Sequence, residues 1–529
     1  MIRLPSVPVV GVKLAATAAV AAVALTACSG GAPSTSSSSA SDKLTVQFTG
    51  PPVSLNPALG SNGESAIFTA LAYDPLVYLS GDGKLVPDLA TSWQYVGTGN
   101  KVFEITLRDG VKFDDGSTMD ANAVVGSLKY FLSAKGPMVA HAGKISSIEA
   151  VGTNKVRITY AQPNPDAALS LTQYNEFGLI ISPKGVADPT SLLKTSAGTG
   201  AYTFDSQDSV TNSSYVYKKN PNYWEPSAQK FQTVNVKVIG DPNAVLSAIT
   251  TGQVDNAGGS ANTAASAKAA GINILTAPFF NWSLNLLDRD GSVSKPLADV
   301  RVRQAIALAF DRASLATALG GDYGKPSTQD MLPGTDGYMS NDPGYSYDLN
   351  KAKQLMAEAG YASGFEMPVI TTSVLDKNTT ISQAISQSLG AIGIKVDLHV
   401  EATGMSQYSS GVVSKKYAAA IFPTAGSDMM QFYQQDLATG VSQNPENSTD
   451  PQLESLYQQA LAAPTDSDRT SLYQQMSKRL EDLAWIVPIY APQTLWFNGK
   501  NLHNVSVSAT NPNPLPEAPD PSLAWTLGS

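Results

Sequence analysis

The residues able to do chemistry in this 529-residue chain are few and scattered. Three histidines, His141, His399 and His503, each stand alone, with no H-E-x-x-H or other paired metal spacing. His399 takes a polar slot in the alternating run 394–400, the position of a solvated strand residue and not of a ligand. No G-x-x-x-x-G-K-[ST] loop, no G-x-G-x-x-G after a strand and no G-x-S-x-G elbow is present. Aspartates and glutamates number 44 against 35 lysines and arginines, but nothing in linear order pairs them for acid and base work. The pattern points to a protein that binds without transforming. No catalytic residue, no cofactor and no metal is expected.

The one cysteine, Cys28, has a different chemistry. It follows Leu25-Thr26-Ala27 at the end of the apolar stretch 14–25, and Arg3 and Lys13 precede that stretch without any acidic residue. A positive start, an apolar middle and small residues at the cut are the order of a secretory signal. The stretch is short for a membrane-spanning helix, which needs roughly 20 apolar residues. A small-residue site ending in cysteine resembles the bacterial lipobox, which implies that Cys28 is lipidated and becomes the mature N-terminus. Residues 1–27 are then a lipoprotein signal peptide. Residues 28–42, rich in Ser, Gly, Ala and Thr, form a flexible tether, because they bury too little to offset their ordering entropy. The expected location is the outer face of the cell membrane, anchored by Cys28.

The formal net charge is −9 at pH 7, and loss of Arg3 and Lys13 makes the mature chain more acidic still. No basic run is visible, so nucleic acid is not an expected partner. The body from residue 43 is too long for one core, and two or three packed units are expected.

The first part of the body reads as strands and turns. Phe103, Ile105 and Leu107 alternate with polar residues, as do Val156, Ile158 and Tyr160, and Gly110 and Gly116 sit at turn positions. The later part alternates helix and strand. Ala352, Leu355, Met356 and Ala359 form a helical stripe that Asp348 or Asn350 can cap. The stripe Ile381, Ala384, Ile385, Leu389 and Ile392 leads directly into strand 394–400. Two further helices carry Leu453 to Leu461 and Leu472 to Leu483, the second running into the apolar segment 485–490. These stripes are read as core packing.

Several local patterns then resemble one family, the extracytoplasmic peptide-binding proteins of ABC importers, solute-binding family 5. They are Leu85-Val86-Pro87-Asp88-Leu89-Ala90-Thr91-Ser92-Trp93, the hairpin 107–116, Gly198-Thr199-Gly200-Ala201-Tyr202, Lys219-Asn220-Pro221-Asn222-Tyr223-Trp224, Asp299-Val300-Arg301-Val302-Arg303-Gln304-Ala305 and the run 347–361, all in family order. Trp93, Tyr223 and Trp224 are expected to pack. Asp299 is read as a helix cap, with Arg301 and Arg303 tying that helix to its lobe through carboxylates. The resemblance implies an α/β fold, a two-lobed periplasmic-binding-protein-like clamp of class II type with an extra subdomain inserted in lobe one. The boundaries it implies are 43–88, 197–277 and 490–529 for lobe one, 89–196 for the inserted subdomain and 278–489 for lobe two.

The implied partners are a small solute, a peptide first of all, and the membrane permease subunits that receive it from a monomeric carrier. In peptide-binding members an aspartate of lobe two, after a short apolar strand, pairs with the ligand's α-amino group. Asp428 stands in the matching place after 418–427, and its other reading is the cap of a helix starting at Met429. The departures are Ala425, where many members have Trp, and Met429-Met430-Gln431-Phe432-Tyr433, where a polar loop is common. The resemblance adds Asn281, Trp282 and Ser283 after the first crossing between lobes, and Asn56 in the first loop with Glu64 nearby, as further ligand contacts. The alternatives are the same clamp holding an oligosaccharide or metal chelate, or a surface lipoprotein acting as an enzyme or adhesion module.

Overall fold

The computed structural model describes residues 42–60, 62–424, 426 and 428–528, with the backbone alone for 62–65. Cys28 and the tether up to residue 41 lie outside the described residues.

The alternating segments pair as their period requires. Val102–Leu107 buries Phe103, Ile105 and Leu107, and Lys155–Tyr160 buries Val156, Ile158 and Tyr160. With Ala90–Tyr95 and Ile145–Ala150 they form a four-stranded antiparallel sheet. The helix Ala121–Ala134 packs on it through Val124, Leu128 and Phe131. This is the inserted subdomain, and its core also takes in Ala58, Leu76 and Val77 from lobe one. Gly110 and Gly116 take positive φ, 76° and 84°, at the two turns of the following hairpin.

Everything else hangs on one mixed sheet of twelve strands. In one half, Lys43–Phe48 runs parallel to Thr233–Val238, which pairs antiparallel with Ser214–Lys219, and that strand in turn pairs antiparallel with Tyr202–Val210. In the other half, Phe365–Thr372 lies parallel to Ile394–Glu401. The helix Thr380–Gly390 connects them and buries Ile381, Ile385 and Leu389, a β-α-β unit as its stripe predicts. His399 is exposed on that last strand. Asp348, not Asn350, caps the helix Leu349–Glu358, accepting from the Lys351 N–H at 2.8 Å.

The two halves meet on Ile486–Asn498. Its first residues pair with Asn281–Leu286, and Gln493 to Asn498 pair with Asn273–Pro278. A bulge opens at the Trp282–Ser283 step, opposite the Pro488–Tyr490 segment; Pro488 has no N–H to give the ladder. Only Phe279 and Phe280 separate the strands 273–278 and 281–286, so the chain passes between halves here too. This is a two-lobed α/β clamp with a subdomain inserted in lobe one.

Two motifs find local physical reasons. Gly198 and Gly200 lie hard against Ala72 and Tyr73, and a Cβ at either would overlap that backbone. Asp299 caps the helix Val300–Leu308, accepting from the Arg301 N–H at 2.9 Å, and Arg301 clasps the same carboxylate. Arg303 corrects the expectation. Its guanidinium donates to the carbonyls of Leu483 and Leu297 at 2.9 and 2.7 Å, not to a carboxylate. Leu483 closes the helix Asp466–Leu483 and Leu297 lies in the short turn Lys295–Ala298, where last-turn carbonyls have no partner within the helix. Among the described residues no helix is long and apolar enough to cross a membrane.

Candidate functional site

The strand Ala419–Thr424 delivers the loop that carries Asp428. It is held from below by its antiparallel neighbour, with Asn281 opposite Thr424. The Asn281 amide donates to Asp330 O at 2.8 Å and accepts from Ser327 Oγ at 2.8 Å. Ser283 and Thr424 join hydroxyls at 2.9 Å. Gly426 fits where no larger residue would, because a Cβ there would overlap Asp330 O, and its own carbonyl accepts from Leu332 N–H at 2.8 Å. Asn281 and Ser283 thus have their side chains engaged in positioning the loop.

Asp428 caps the four-residue helix Met429–Phe432, accepting from the Gln431 N–H at 3.0 Å. The side chain is half-buried. Burial raises its pKa, two backbone N–H groups oppose this, and Asp336 adds to the rise while Arg469 works against it. The cap bond from Gln431 ends on Oδ1, and a carboxylate has a second oxygen to offer a partner.

Trp282 is 6% exposed and packs in the lobe-two core with Phe310, Ile421 and Tyr490. Asn56 is buried in the first loop of lobe one. Its amide donates to Tyr130 Oη at 2.7 Å and accepts from Ala58 N–H at 3.0 Å, tying that loop to the subdomain helix. Glu64 falls on the helix Asn62–Ala70, and its side chain lies outside the described residues.

The residues that face Asp428 come from the inserted subdomain and from the helices of lobe two. Gln431 Nε2 and His141 Nδ1 are 2.7 Å apart. Asn100 donates its amide to Leu461 O and Ala463 O at 2.9 and 3.0 Å. Asp166, Asp336, Arg469, Tyr457 and Tyr473 belong to the same seam, close enough for their charges to act on Asp428 or on one another. Tyr95 fixes the Asp166 turn, donating to Asn164 O at 2.5 Å and accepting from Ala167 N–H at 3.3 Å. Sequence reasoning missed Asp166, His141 as a seam residue, Arg469 and Tyr473. No local motif marks them; only the docking of subdomain on lobe two brings them to Asp428.

The arrangement has acceptors, donors and aromatic rings at a junction of two bodies, and among the described residues no group of three or more His, Cys, Asp or Glu is arranged to hold a metal ion. It is the architecture of a solute-binding clamp. The sequence profile of bacterial extracellular solute-binding proteins, family 5 Middle, matches residues 84–444. The chain belongs to that family. Among curated relatives it is 24% identical over 459 residues to the glutathione-binding protein GsiB of Shigella dysenteriae serotype 1 (strain Sd197), covering 81% of this chain and 85% of the relative. It is 22% identical over 514 residues to the oligopeptide-binding protein OppA of Bacillus subtilis (strain 168), covering 88% and 90%. Among solved structures, HbpA2 from Haemophilus parasuis superposes with a TM-score of 0.79 at 22% identity, covering 89% of this chain and 98% of that one. NikA from Brucella suis in complex with Fe(III)-EDTA has a TM-score of 0.73 at 21% identity, covering 88% and 97%. These structural likenesses establish the fold.

Proposed function

We propose that the protein is the lipid-anchored substrate-binding component of an ABC importer. It captures oligopeptides or dipeptides between its lobes and delivers them to a membrane permease. The observation that carries this reading is the Asp428 loop, whose half-buried carboxylate sits on a scaffold of Asn281, Ser283 and Gly426 at the meeting of two bodies. A carboxylate partly withdrawn from water pairs strongly with an ammonium that is desolvated with it. The peptide and glutathione binding of the named relatives supports the same class. Closure follows if solute touches both bodies when closed and one when open, because only a difference in contact shifts the population. The proposed division assigns 43–88, 197–277 and 490–529 to lobe one, 89–196 to the subdomain and 278–489 to lobe two. The change of strand partners along Ile486–Asn498 supports a passage between lobes there.

The test is thermal unfolding against di- to pentapeptides, oligosaccharides and metal chelates. A ligand at 100 times its Kd stabilises by about 2.7 kcal/mol, enough to move the midpoint visibly. Peptides alone are expected to shift it. Asp428→Ala is then expected to weaken free-amine peptides about tenfold or more and to spare N-acetylated ones; an equal loss for both rejects the role given to Asp428. The second reading, a metal chelate, rests on the likeness to the Fe(III)-EDTA complex of NikA, and shifts by chelates alone would establish it. The anchor has its own test: Cys28→Ser is expected to move the protein from the membrane fraction to the soluble one, and retention in the membrane rejects lipidation at that residue.

A further inference from the structure

The seam between the inserted subdomain and lobe two is short of positive charge. Three carboxylates, Asp166, Asp336 and Asp428, act on one another there, with Arg469 as the facing guanidinium. Arg469 does not neutralise them all. Its Nη2 is turned to Asp466 Oδ1 at 2.9 Å, and its Nε, sealed from solvent, has no partner. Asp166 Oδ2 is likewise sealed and unpartnered. Tyr473, 1% exposed, lies in the field of both Asp166 and Asp428, and its hydroxyl finds no acceptor or donor. Buried polar atoms are nearly always paired, and unpaired ones gathered at a junction of two bodies mark a place built for something else.

We propose that Asp166 is a second solute contact, facing Asp428 across the seam, so that one cationic amine of the solute sits between a carboxylate of the subdomain and a carboxylate of lobe two. This rests on the solute-binding reading above and narrows it. An ammonium carries three donors and can serve both carboxylates at once. It also removes the repulsion of like charges held together away from water. Tyr473 and the Arg469 Nε are donors for a carbonyl oxygen next to that amine. The solute class is a free-amine peptide, favoured further by added positive charge and disfavoured by negative charge. Because Asp166 and Asp428 come from different bodies, the amine also bridges them, which gives the closed form the extra contact that closure requires.

Isothermal titration calorimetry with trialanine, N-acetyltrialanine, trilysine and triglutamate tests this. The native protein is expected to bind trilysine most tightly and triglutamate most weakly. Asp166→Asn is expected to weaken trialanine and trilysine about tenfold or more and to leave N-acetyltrialanine within about twofold. The substitution is isosteric and removes one of two facing carboxyls whose charged forms burial disfavours, so its thermal midpoint should hold or rise. The Asp166→Asn and Asp428→Asn effects are expected to be less than additive, as for two groups sharing one partner. Native-like binding of all four peptides by Asp166→Asn overturns the proposal. So does a native preference for triglutamate, which needs no variant and leaves the clamp reading standing. Binding of none of the four overturns the peptide reading and this proposal with it.

Discussion

Replacing Glu517 by glutamine is expected to remove a large loss of stability that the native protein suffers between about pH 4.5 and 8. Glu517, Asp74 and Asp88 converge on a small cavity also lined by Tyr78, Gln173 and Tyr223, where the C-terminal segment meets the base of the subdomain. Glu517 is 6% exposed and neither of its carboxylate oxygens finds a partner in another residue; Asp88 is 2% exposed with one oxygen unpartnered. Asp74 is better served, accepting from Trp224 Nε1 at 3.1 Å, and Arg108 stacks on that same indole at 3.9 Å. Burial, with Asp74 adding repulsion, pushes Glu517 up to about 8. Burial likewise pushes Asp74 up to about 7, with Trp224, Thr199 and Arg108 opposing.

The sign follows from linkage. A carboxyl whose folded pKa is raised keeps its proton where the unfolded chain has lost it. Its contribution is full below the unfolded value of about 4.5 and is lost as pH rises to the folded value of about 8. At about 1.4 kcal/mol for each pH unit between these two values, the total is on the order of 5 kcal/mol. Glutamine is neutral throughout, so urea unfolding of Glu517→Gln is expected to run flatter than the native protein across this window. Parallel curves for the two proteins would reject a buried protonated Glu517.

Trp282→Ala is expected to cost about 3–5 kcal/mol of stability, the range for truncating a large buried aromatic side chain. The indole stands opposite Tyr490 and Pro423 on the two flanking strands and packs edge-on to Phe280 at 6.3 Å. Truncation empties the point at which the lobe-two core meets the passage between lobes. Chemical denaturation gives the stability and titration with a bound peptide gives the affinity. The expected pattern is a large fall in midpoint, mostly restored by Trp282→Phe. The contrary pattern, an unchanged midpoint with lost affinity, would make Trp282 a solute face as the resemblance first suggested.

The fold was readable where one residue's neighbours in sequence are also its neighbours in space. The period-two runs at 103–107 and 156–160, and the stripe of Ile381, Ile385 and Leu389, match the buried faces observed. Caps are equally local, so Asp299 and Asp348 declare themselves. The candidate site was readable only in part. The place of Asp428 follows from a motif, but the engagement of Asn281 depends on Ser327 and Asp330, and the company of Asp428 depends on Asp166. Those partners are distant in sequence, and no periodicity encodes them. Arg303 teaches the same lesson, since backbone carbonyls left open by a neighbouring chain segment have no signature in composition.

The strand Ile486–Asn498 has a consequence for how the molecule can be taken apart. It serves as ladder partner to Asn281–Leu286 at one end and to Asn273–Pro278 at the other. Excising either lobe therefore strips hydrogen bonds from the one left behind. The lobes are joint owners of a single structural member, so neither is a self-sufficient module that could be lifted out and grafted elsewhere. The shared strand binds the two halves to a common fate on unfolding.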